Sequence, residues 1–252
     1  MSIKITNDNC SYKKCYAIKE IATAEIVIGL EFEKIVSVQS QRQRKEELTS
    51  LIQAELSKYK WLICGSVTIE MAWYLNAPER QETDKVGDID NISKPIIDAL
   101  TGENGILIDD AQIGSIHSFW MSRNTQVQDN ILRIKISFNN DECINKDQLI
   151  FVQYSNAVCI PLRVDFNDIK SMTSALIIIH SRLKTREFSQ KIRELGGNVD
   201  DYLVCSSWDV HRTRLGGFSQ GMIYQLPKFK EKLLENGLTY GVLLKAMRNV
   251  RT

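Results

Sequence analysis

The sequence lacks the features that mark membrane proteins, disulfide-rich proteins and zinc proteins. No apolar run approaches the roughly 18–20 residues that a membrane-spanning helix needs, and the start of the chain has no apolar stretch of the kind found in signal peptides. The six cysteines include no Cys-x-x-Cys pair, and the three histidines are isolated in the sequence. We therefore predict a cytoplasmic protein with reduced cysteines and without a membrane anchor.

The length and composition are those of a globular protein with more than one domain. The chain has 252 residues, of which 43% are hydrophobic and 25% are charged. A polar stretch at 139–148 contains no apolar pattern and is the predicted boundary. We predict a first domain of residues 1–142 and a second domain of residues 143–252.

The two halves of the chain differ in charge, although the net charge of the whole is only +1. Residues 1–145 carry a net charge of −5, and residues 146–252 carry a net charge of +6. A basic surface attracts a polyanion such as nucleic acid, but a basic domain is also simply soluble. The charge alone leaves both interpretations open.

Hydrophobic periodicity predicts a mixed first domain. Alternation of apolar and polar residues indicates strands, and apolar residues three to four positions apart indicate a helix. The predicted elements are a strand or irregular arm within 1–20, strands at 24–33 and 67–76, a helix at 39–58, and strands at 113–120 and 131–138. The last two are predicted to form a hairpin, which gives an α+β fold with helices on a mixed sheet.

The second domain shows shorter patterns and is predicted to be a smaller α/β or α+β domain. Its predicted elements are strands at 149–154 and 157–164, a buried strand at 175–180, a helix at 188–195 ended by two glycines, a strand at 202–205, and two short helices within 227–251. None of these elements carries a recognisable motif. The function of this domain is therefore not predicted from its pattern.

The most unusual stretch runs from residue 88 to residue 110. Six acidic residues and one lysine fall within these 23 positions. Neighbouring carboxylates repel one another and raise one another's pKa unless a positive group lies among them. A divalent cation is a natural occupant of such a cluster. The alternative is that these residues are loop caps and surface charge, but capping does not require the later pair Asp109 and Asp110.

Helix chemistry predicts how the first part of this stretch folds. Asn91 or Ser93 can cap a helix, and Pro95 then lies in or near its first turn, where a missing N–H costs little. Asp88 and Asp90 are predicted to lie on an extended segment before the helix and to share a face.

The helical part predicts a second grouping of charges. Lys94 lies four residues after Asp90 and four residues before Asp98, so the three side chains are predicted to share one side of the helix. Asp98 is then either a supporting partner of Lys94 or one half of an ordinary exposed pair.

These residues resemble the signature of a known family. Asp-x-Asp-Asn at 88–91, Lys94, Asp-Ala-Leu at 98–100 and Asp-Asp-Ala-Gln at 109–112 resemble, in order and spacing, the motif of the RusA family of Holliday-junction resolvases. The resemblance covers the core of the first domain only. It implies a RusA-like fold and an endodeoxyribonuclease that uses Mg²⁺, with Mn²⁺ as a substitute, and acts as a homodimer on four-way DNA junctions.

The resemblance also implies roles for individual residues. Asp88, Asp90 and Asp110 are expected to bind the metal, and Lys94 is expected to face the scissile phosphate. Asp109 also matches the family's acidic pair, and Asp98 and Asp109 are candidates for a supporting role beside these four residues. Adjacent residues of a strand face opposite ways, so only one of Asp109 and Asp110 is expected to point fully inward. Asp110 fits the family's ligand position better.

Three groups of basic residues are candidates for phosphate contacts. The first group, at the start of the first predicted helix, is Arg42, Arg44 and Lys45. The second, in the polar loop before Asp88, is Arg80 and Lys85. The third, beside a Gly-Gly turn in the second domain, is Arg212 and Arg214. The alternatives are a solvated helix face for the first group and an ordinary loop over a buried Trp208 for the last. His117 and His180 are expected to be packed histidines, and a catalytic His211 is not favoured.

Two other functions remain open at this point. The protein could be a non-catalytic DNA-binding or partner-binding protein with a vestigial acidic site. It could also be a metal nuclease that acts on RNA or on another form of DNA.

Overall fold

The computed structural model describes residues 2–8, 23–76, 88–123, 129–199 and 208–239. The chain forms two compact units, Met1–Cys143 and Ile144–Thr252. The described residues combine helices with mixed sheets, which confirms the predicted α+β class. No helix in the described ranges is long and apolar enough to cross a membrane.

The first unit contains a large sheet and two described helices. Its elements are β1 (Ser2–Asp8), β2 (Thr23–Phe32), α1 (Arg42–Leu56), β3 (Trp61–Ile63), β4 (Val67–Asn76), α2 (Ile89–Ala99), β5 (Ile113–Arg123) and β6 (Asn130–Asn139). Short 3₁₀ helices lie at Asp110–Gln112 and Asn140–Glu142, and β7 (Cys143–Asn145) follows at the junction of the two units.

The strand order of the sheet corrects one prediction. The order is β1-β2-β6-β4-β5, in which β4 and β5 are parallel and the other neighbours are antiparallel. The predicted hairpin of 113–120 and 131–138 is therefore wrong, because β4 lies between these two strands. Period-two alternation identifies a strand and its buried face, but it does not identify the neighbouring strand.

One face of this sheet forms the core. Val67, Ile69, Met71 and Trp73 of β4 are buried on it, as the alternation predicts. Three apolar residues of α1 are also completely buried: Leu48, Ile52 and Leu56. The opposite face carries charged pairs, such as Lys135 Nζ at 2.9 Å from Glu25 Oε2. The two helices therefore lie over one face of the sheet.

The start of α2 differs from the prediction. The helix begins at Ile89 with Asp88 as its N-cap residue, and Ile92 N already donates to Asp88 O at 3.1 Å. Neither Asn91 nor Ser93 caps the helix, and the Ser93 hydroxyl instead donates to Ile89 O at 2.6 Å. Asp90 consequently lies within the first helical turn. Asp88 and Asp90 do not share an extended segment.

Pro95 lies in the interior of α2 instead of its first turn. A proline there removes the hydrogen bond to the carbonyl four residues earlier, and it typically costs about 3 kcal/mol. In this chain that carbonyl, Asn91 O, accepts a hydrogen bond from Val38 N at 2.9 Å. The segment before α1 is thereby attached to the first turns of α2.

A tight turn carries the chain from α2 to β5. Gly102 has φ +89°, a left-handed conformation that favours glycine. A Cβ atom at Gly105 would overlap the carbonyl oxygen of Leu100, so the close approach of the two backbones requires glycine there. Ile106 N and Leu107 N both donate to Leu100 O, at 2.9 and 3.0 Å. The turn delivers the chain to Asp109 and Asp110.

The second unit contains a smaller sheet with the strand order β10-β9-β8-β11, in which β8 and β11 are parallel. Its elements are β8 (Leu149–Ser155), β9 (Val158–Arg163), α3 (Ile169–Glu194), β10 (Val210–His211), β11 (Ile223–Gln225) and α4 (Leu226–Glu235). Helix α4 ends at Glu235 with Asn236 as its C-cap residue, and Gly237 follows with φ +90°. The predicted strand at 202–205 and the last predicted helix lie outside the described residues.

Helix α3 corrects a second prediction. The apolar run 175–180 is not a buried strand; it lies within this single 26-residue helix. The side chains of Ile177 and Ile178 are 43% and 42% exposed, whereas Ile179 is 1% exposed. Periodicity alone cannot separate a short apolar strand from part of a helix. The Asp168 carboxylate caps this helix by accepting from Lys170 N at 2.9 Å.

Gly105 provides a test of the turn before the site. Gly105→Ala is expected to lower the free energy of unfolding of the first unit by about 1–3 kcal/mol, because the new methyl group must displace backbone. Urea denaturation followed by tryptophan fluorescence measures this change. Gly221→Ala is the control, since its Cβ would meet nothing within 4 Å. A Gly105→Ala variant as stable as the control would contradict the described turn.

Candidate active site

Lys94 joins helix α2 to the 3₁₀ helix that precedes β5. Its ammonium nitrogen lies 2.7 Å from Asp110 Oδ2 and 2.7 Å from Asp98 Oδ1. The hydrogen bonds to Asp110 and then to Asp98 are the largest causes that raise the pKa of Lys94. The Lys94 and Asp98 side chains are about half exposed, so each pair adds only about 0–1 kcal/mol to stability. Their main effect is to hold the ammonium in place between the two carboxylates.

Asp109 and Asp110 have different surroundings. Asp109 is the N-cap residue of the 3₁₀ helix, and its Oδ1 accepts from Ala111 N at 3.0 Å. Asp110 is the first residue of that helix and directs its carboxylate to Lys94. The sequence predicted a difference between the two from strand alternation. The structure produces the difference through a cap, since neither residue lies in a strand.

Gln112 was part of the motif, but sequence analysis gave it no role. Its Oε1 accepts from Ile108 N at 2.6 Å and from Asp109 N at 3.2 Å. Its Nε2 donates to Ile63 O at 2.8 Å and to Gly65 O at 2.9 Å. The signal that could have identified it is the Asp-x-x-Gln spacing of a capping box.

Asp88 and Asp90 lie at the amino-terminal end of α2. Both are exposed, and Asp90 is in the first turn, where the helix dipole favours a negative charge. Asp90, Lys94 and Asp98 follow one another at intervals of four residues, which places them along one side of the helix. The structure therefore brings together Lys94, Asp98 and Asp110, and it places Asp88 and Asp90 further along the same helix.

Oxygen ligands suited to a hard divalent cation are present. The candidate ligands Asp88, Asp90 and Asp110 are all carboxylates, which fits Mg²⁺ or Mn²⁺ better than a softer metal. Among the residues that the structure describes, no three acidic, histidine or cysteine side chains form a group that could hold a metal ion. The carboxylate ligands thus fit a hard divalent cation. In this structure the Asp110 carboxylate contacts the Lys94 ammonium.

The first group of basic residues lies in the first turn of α1. Arg42 pairs with Glu46 at 2.7 Å, and Lys45 Nζ donates to Val38 O at 3.0 Å. Arg44 is exposed. Positive side chains at a helix amino terminus oppose the helix dipole, so this placement does not serve helix stability. The hydrogen bond from Val38 N to Asn91 O holds this turn beside the first turns of α2.

The remaining candidates lie elsewhere or outside the described residues. Arg80 and Lys85 fall in the segment 77–87, which is not described. Arg212 and Arg214 are exposed in a 3₁₀ helix of the second unit, where Arg212 N donates to Ala157 O at 2.7 Å. Trp208 is half-buried.

The histidines correct a third prediction. His117 and His180 are both exposed, so neither is a packed core histidine. His117 lies on β5, the last strand in the sheet order. His180 lies on the solvent side of α3. His211 Nδ1 lies 2.7 Å from Thr213 Oγ1, a local contact within its own turn.

The pKa of Lys94 tests the central contact. Asp110→Asn is expected to lower this pKa toward the ordinary lysine value, and Asp98→Asn to lower it less, because the Asp110 hydrogen bond is the larger cause. Since the pKa is raised, the stabilisation from the charged pairs is present at neutral pH and is lost as the pH rises through the folded-state pKa. Titration of the lysine 13Cε signal in metal-free protein measures both changes. An unchanged pKa in Asp110→Asn would contradict the contact.

Comparison with known proteins gives one family match. Residues 31–144 match the model of the family described as Endodeoxyribonuclease RusA, and no curated protein matches the chain. The matched segment contains α1, α2 and the contact between Lys94 and Asp110. It supports a Holliday-junction-resolving endonuclease in general and confirms the resemblance seen in the motif. Over residues 31–144, the chain is therefore similar to the RusA family of endodeoxyribonucleases.

Proposed function

We propose that the protein is an Mg²⁺-dependent endodeoxyribonuclease that resolves four-way DNA junctions as a homodimer. One observation carries this proposal. The segment that matches the RusA family is also the segment in which Lys94 bridges α2 to Asp110. A four-way junction has two-fold symmetry, and two identical subunits offer two identical sites for paired nicks.

Three carboxylates are proposed to hold the metal ion: Asp88, Asp90 and Asp110. When bound, Mg²⁺ supplies Lewis-acid polarisation of the scissile phosphate and a water molecule of lowered pKa. The carboxylates would fix the ion on the exposed side of α2, where a phosphodiester has access. The exposure of Asp88 and Asp90 supports this assignment, because an incoming DNA backbone reaches them without opening the core.

Lys94 is proposed to stabilise the negative charge that develops on the phosphate oxygens during attack. A preformed cation aimed at developing charge is an effective catalytic device because it needs no reorganisation during the reaction. A lysine is already protonated at neutral pH, and the two carboxylate partners raise the pKa of Lys94 further while they hold its ammonium in place. Asp98 contributes by holding Lys94 in position from the following helical turn.

The attraction for DNA must overcome the acidic charge around the site. The first turn of α1 is proposed to supply part of it through Arg42, Arg44 and Lys45. The hydrogen bond between Val38 and Asn91 holds that turn beside the acidic end of α2, so cations and carboxylates can contact neighbouring phosphates. Arg212 and Arg214 are proposed as further phosphate contacts in the basic second unit.

A cleavage assay distinguishes the proposed function from its alternatives. Labelled four-way junction, linear duplex, single-stranded DNA and RNA duplex are incubated with the protein in Mg²⁺, Mn²⁺ or EDTA. We expect paired nicks in the junction, in Mg²⁺ or Mn²⁺ and not in EDTA. Preferred cleavage of another substrate would support a different nuclease, and junction binding without any cleavage would support a vestigial site.

Within the same assay, Asp90→Asn is expected to reduce junction cleavage by about 100-fold or more, since metal catalysis supplies several kcal/mol. Junction binding in EDTA should be retained or slightly stronger, because a negative charge near the phosphates is removed. Glu70→Gln is the matched control, since Glu70 is exposed on the opposite face of the sheet. Cleavage by Asp90→Asn at the parent rate would refute the site assignment.

Arg44 tests the proposed phosphate contact of α1. Arg44→Gln is expected to weaken junction binding and to reduce the slope of log affinity against log salt by about 1. Fluorescence anisotropy at several salt concentrations measures the slope. Lys58→Gln is the control, because Lys58 follows the other end of α1 and pairs with Glu55 at 2.6 Å. Equal slopes for the parent and Arg44→Gln would exclude Arg44 as a phosphate contact.

A further inference from the structure

Gln112 uses both polar atoms of its side-chain amide. Its oxygen accepts from the backbone N–H groups of Ile108 and Asp109, and its nitrogen donates to the backbone carbonyls of Ile63 and Gly65. An amide offers two N–H donors and an oxygen with two lone pairs, so four hydrogen bonds use its full capacity. The geometry also fixes which end is oxygen and which is nitrogen.

These four bonds connect the site to a rigid part of the first unit. Ile63 is the last residue of β3 and is completely buried, and Gly65 is also buried. A Cβ atom at Gly65 would overlap the side chain of Glu142, so the backbone there is closely packed. Cys64 N, between them, donates to Glu142 O at 2.7 Å. The carbonyls that Gln112 contacts are therefore well fixed.

The other end of the connection is the backbone on either side of Asp110. The Gln112 oxygen holds the N–H groups of the two residues before Asp110, and the Asp109 carboxylate holds the N–H of Ala111 after it. Asp110 is thus enclosed by hydrogen bonds on both sides, while its carboxylate extends to Lys94 at 2.7 Å. A shift of the Gln112 amide would move the peptide that carries Asp110.

We propose that Gln112 is a positioning residue that holds Asp110 in place for its work at the metal and at Lys94. The inference rests on the proposed function, because it assumes that the Asp110 carboxylate takes part in metal-dependent cleavage. Groups that orient metal ligands typically affect metal affinity or activity by about 10–100-fold when they are removed. Gln112 would act through Asp110 without touching the DNA or the metal ion.

Two substitutions separate the parts of this connection. Gln112→Met removes all four hydrogen bonds and keeps a side chain of similar length. Gln112→Glu keeps an acceptor for the N–H groups of Ile108 and Asp109 but directs a second acceptor at the carbonyls of Ile63 and Gly65. The control is Gln53→Met, which removes a half-buried amide of the same unit whose Nε2 lies 3.4 Å from Thr101 O.

For both Gln112 variants we expect the half-saturating Mg²⁺ concentration to rise, or the cleavage rate at saturating Mg²⁺ to fall, by about 10–100-fold. The dissociation constant of the Gln112 variants for the junction in EDTA should stay near that of the parent. The melting temperature of the control Gln53→Met should also stay near that of the parent. If Gln112→Met fails to fold, Gln112→Glu decides. Parent-like Mg²⁺ dependence in a folded Gln112 variant, or equal losses in Gln53→Met, would overturn the proposal.

A structural measurement keeps this test separate from the proposed function. If the parent protein cleaves no substrate, the proposed function fails, and the positioning role is judged from crystal structures of the parent and Gln112→Glu. We expect the variant to lose the 2.7 Å contact between Lys94 Nζ and Asp110 Oδ2. A variant that keeps this contact and the Asp109 cap would overturn the role of Gln112, whatever the enzymatic result.

Discussion

The parallel pairing of β4 and β5 is the constraint on which the site depends. Parallel neighbours cannot be joined by a tight turn, so the chain must cross over the sheet between them. In this protein the crossover contains α2, which lies over the buried face and is linked to β5 through the hydroxyls of Ser93 and Ser118 at 3.2 Å. The helix therefore carries Asp90, Lys94 and Asp98 along one side, and the end of the crossover supplies Asp110 opposite Lys94.

Pro95 shows how the sequence adds a second constraint to the same helix. A proline in the interior leaves one helical carbonyl without its usual partner, and an unsatisfied buried carbonyl is costly. The carbonyl of Asn91 takes Val38 N as its donor, so the segment before α1 has a fixed attachment point. One residue thus couples the basic first turn of α1 to the acidic end of α2, an arrangement that suits a protein whose substrate is a polyanion.

The positive charge of Lys94 offsets part of the acidic charge of the site. Lys94 lies between two carboxylates, that of Asp98 on its own helix and that of Asp110 on the 3₁₀ helix before β5. Asp109 is engaged by the backbone at Ala111, and Gln112 fixes the same loop from the other side. Two adjacent acidic residues therefore have separate tasks, one structural and one directed to the site. A loop is held this firmly when its backbone groups have partners of their own.

Much of the site could be read from the sequence, because motif spacing and helical periodicity are local properties. The order of Asp88, Asp90, Lys94 and Asp110 indicated the family that the match over residues 31–144 confirms, and four-residue spacing predicted the contact between Lys94 and Asp98. The strands β2, β4, β5 and β6 were also identified by their alternation.

Only the tertiary structure decided which strands are neighbours, since β4 separates the two strands predicted as a hairpin. It also decided where α2 begins. Pro95 can lie in the interior of the helix because the carbonyl of Asn91, which loses its helical partner, accepts a hydrogen bond from Val38, a residue distant in sequence. The role of Gln112 depends on the carbonyls of Ile63 and Gly65, which lie almost fifty positions away. The sequence by itself determined the chemical groups of the site, and long-range hydrogen bonds and strand pairing determined their arrangement, because these contacts leave no periodic signal in the chain.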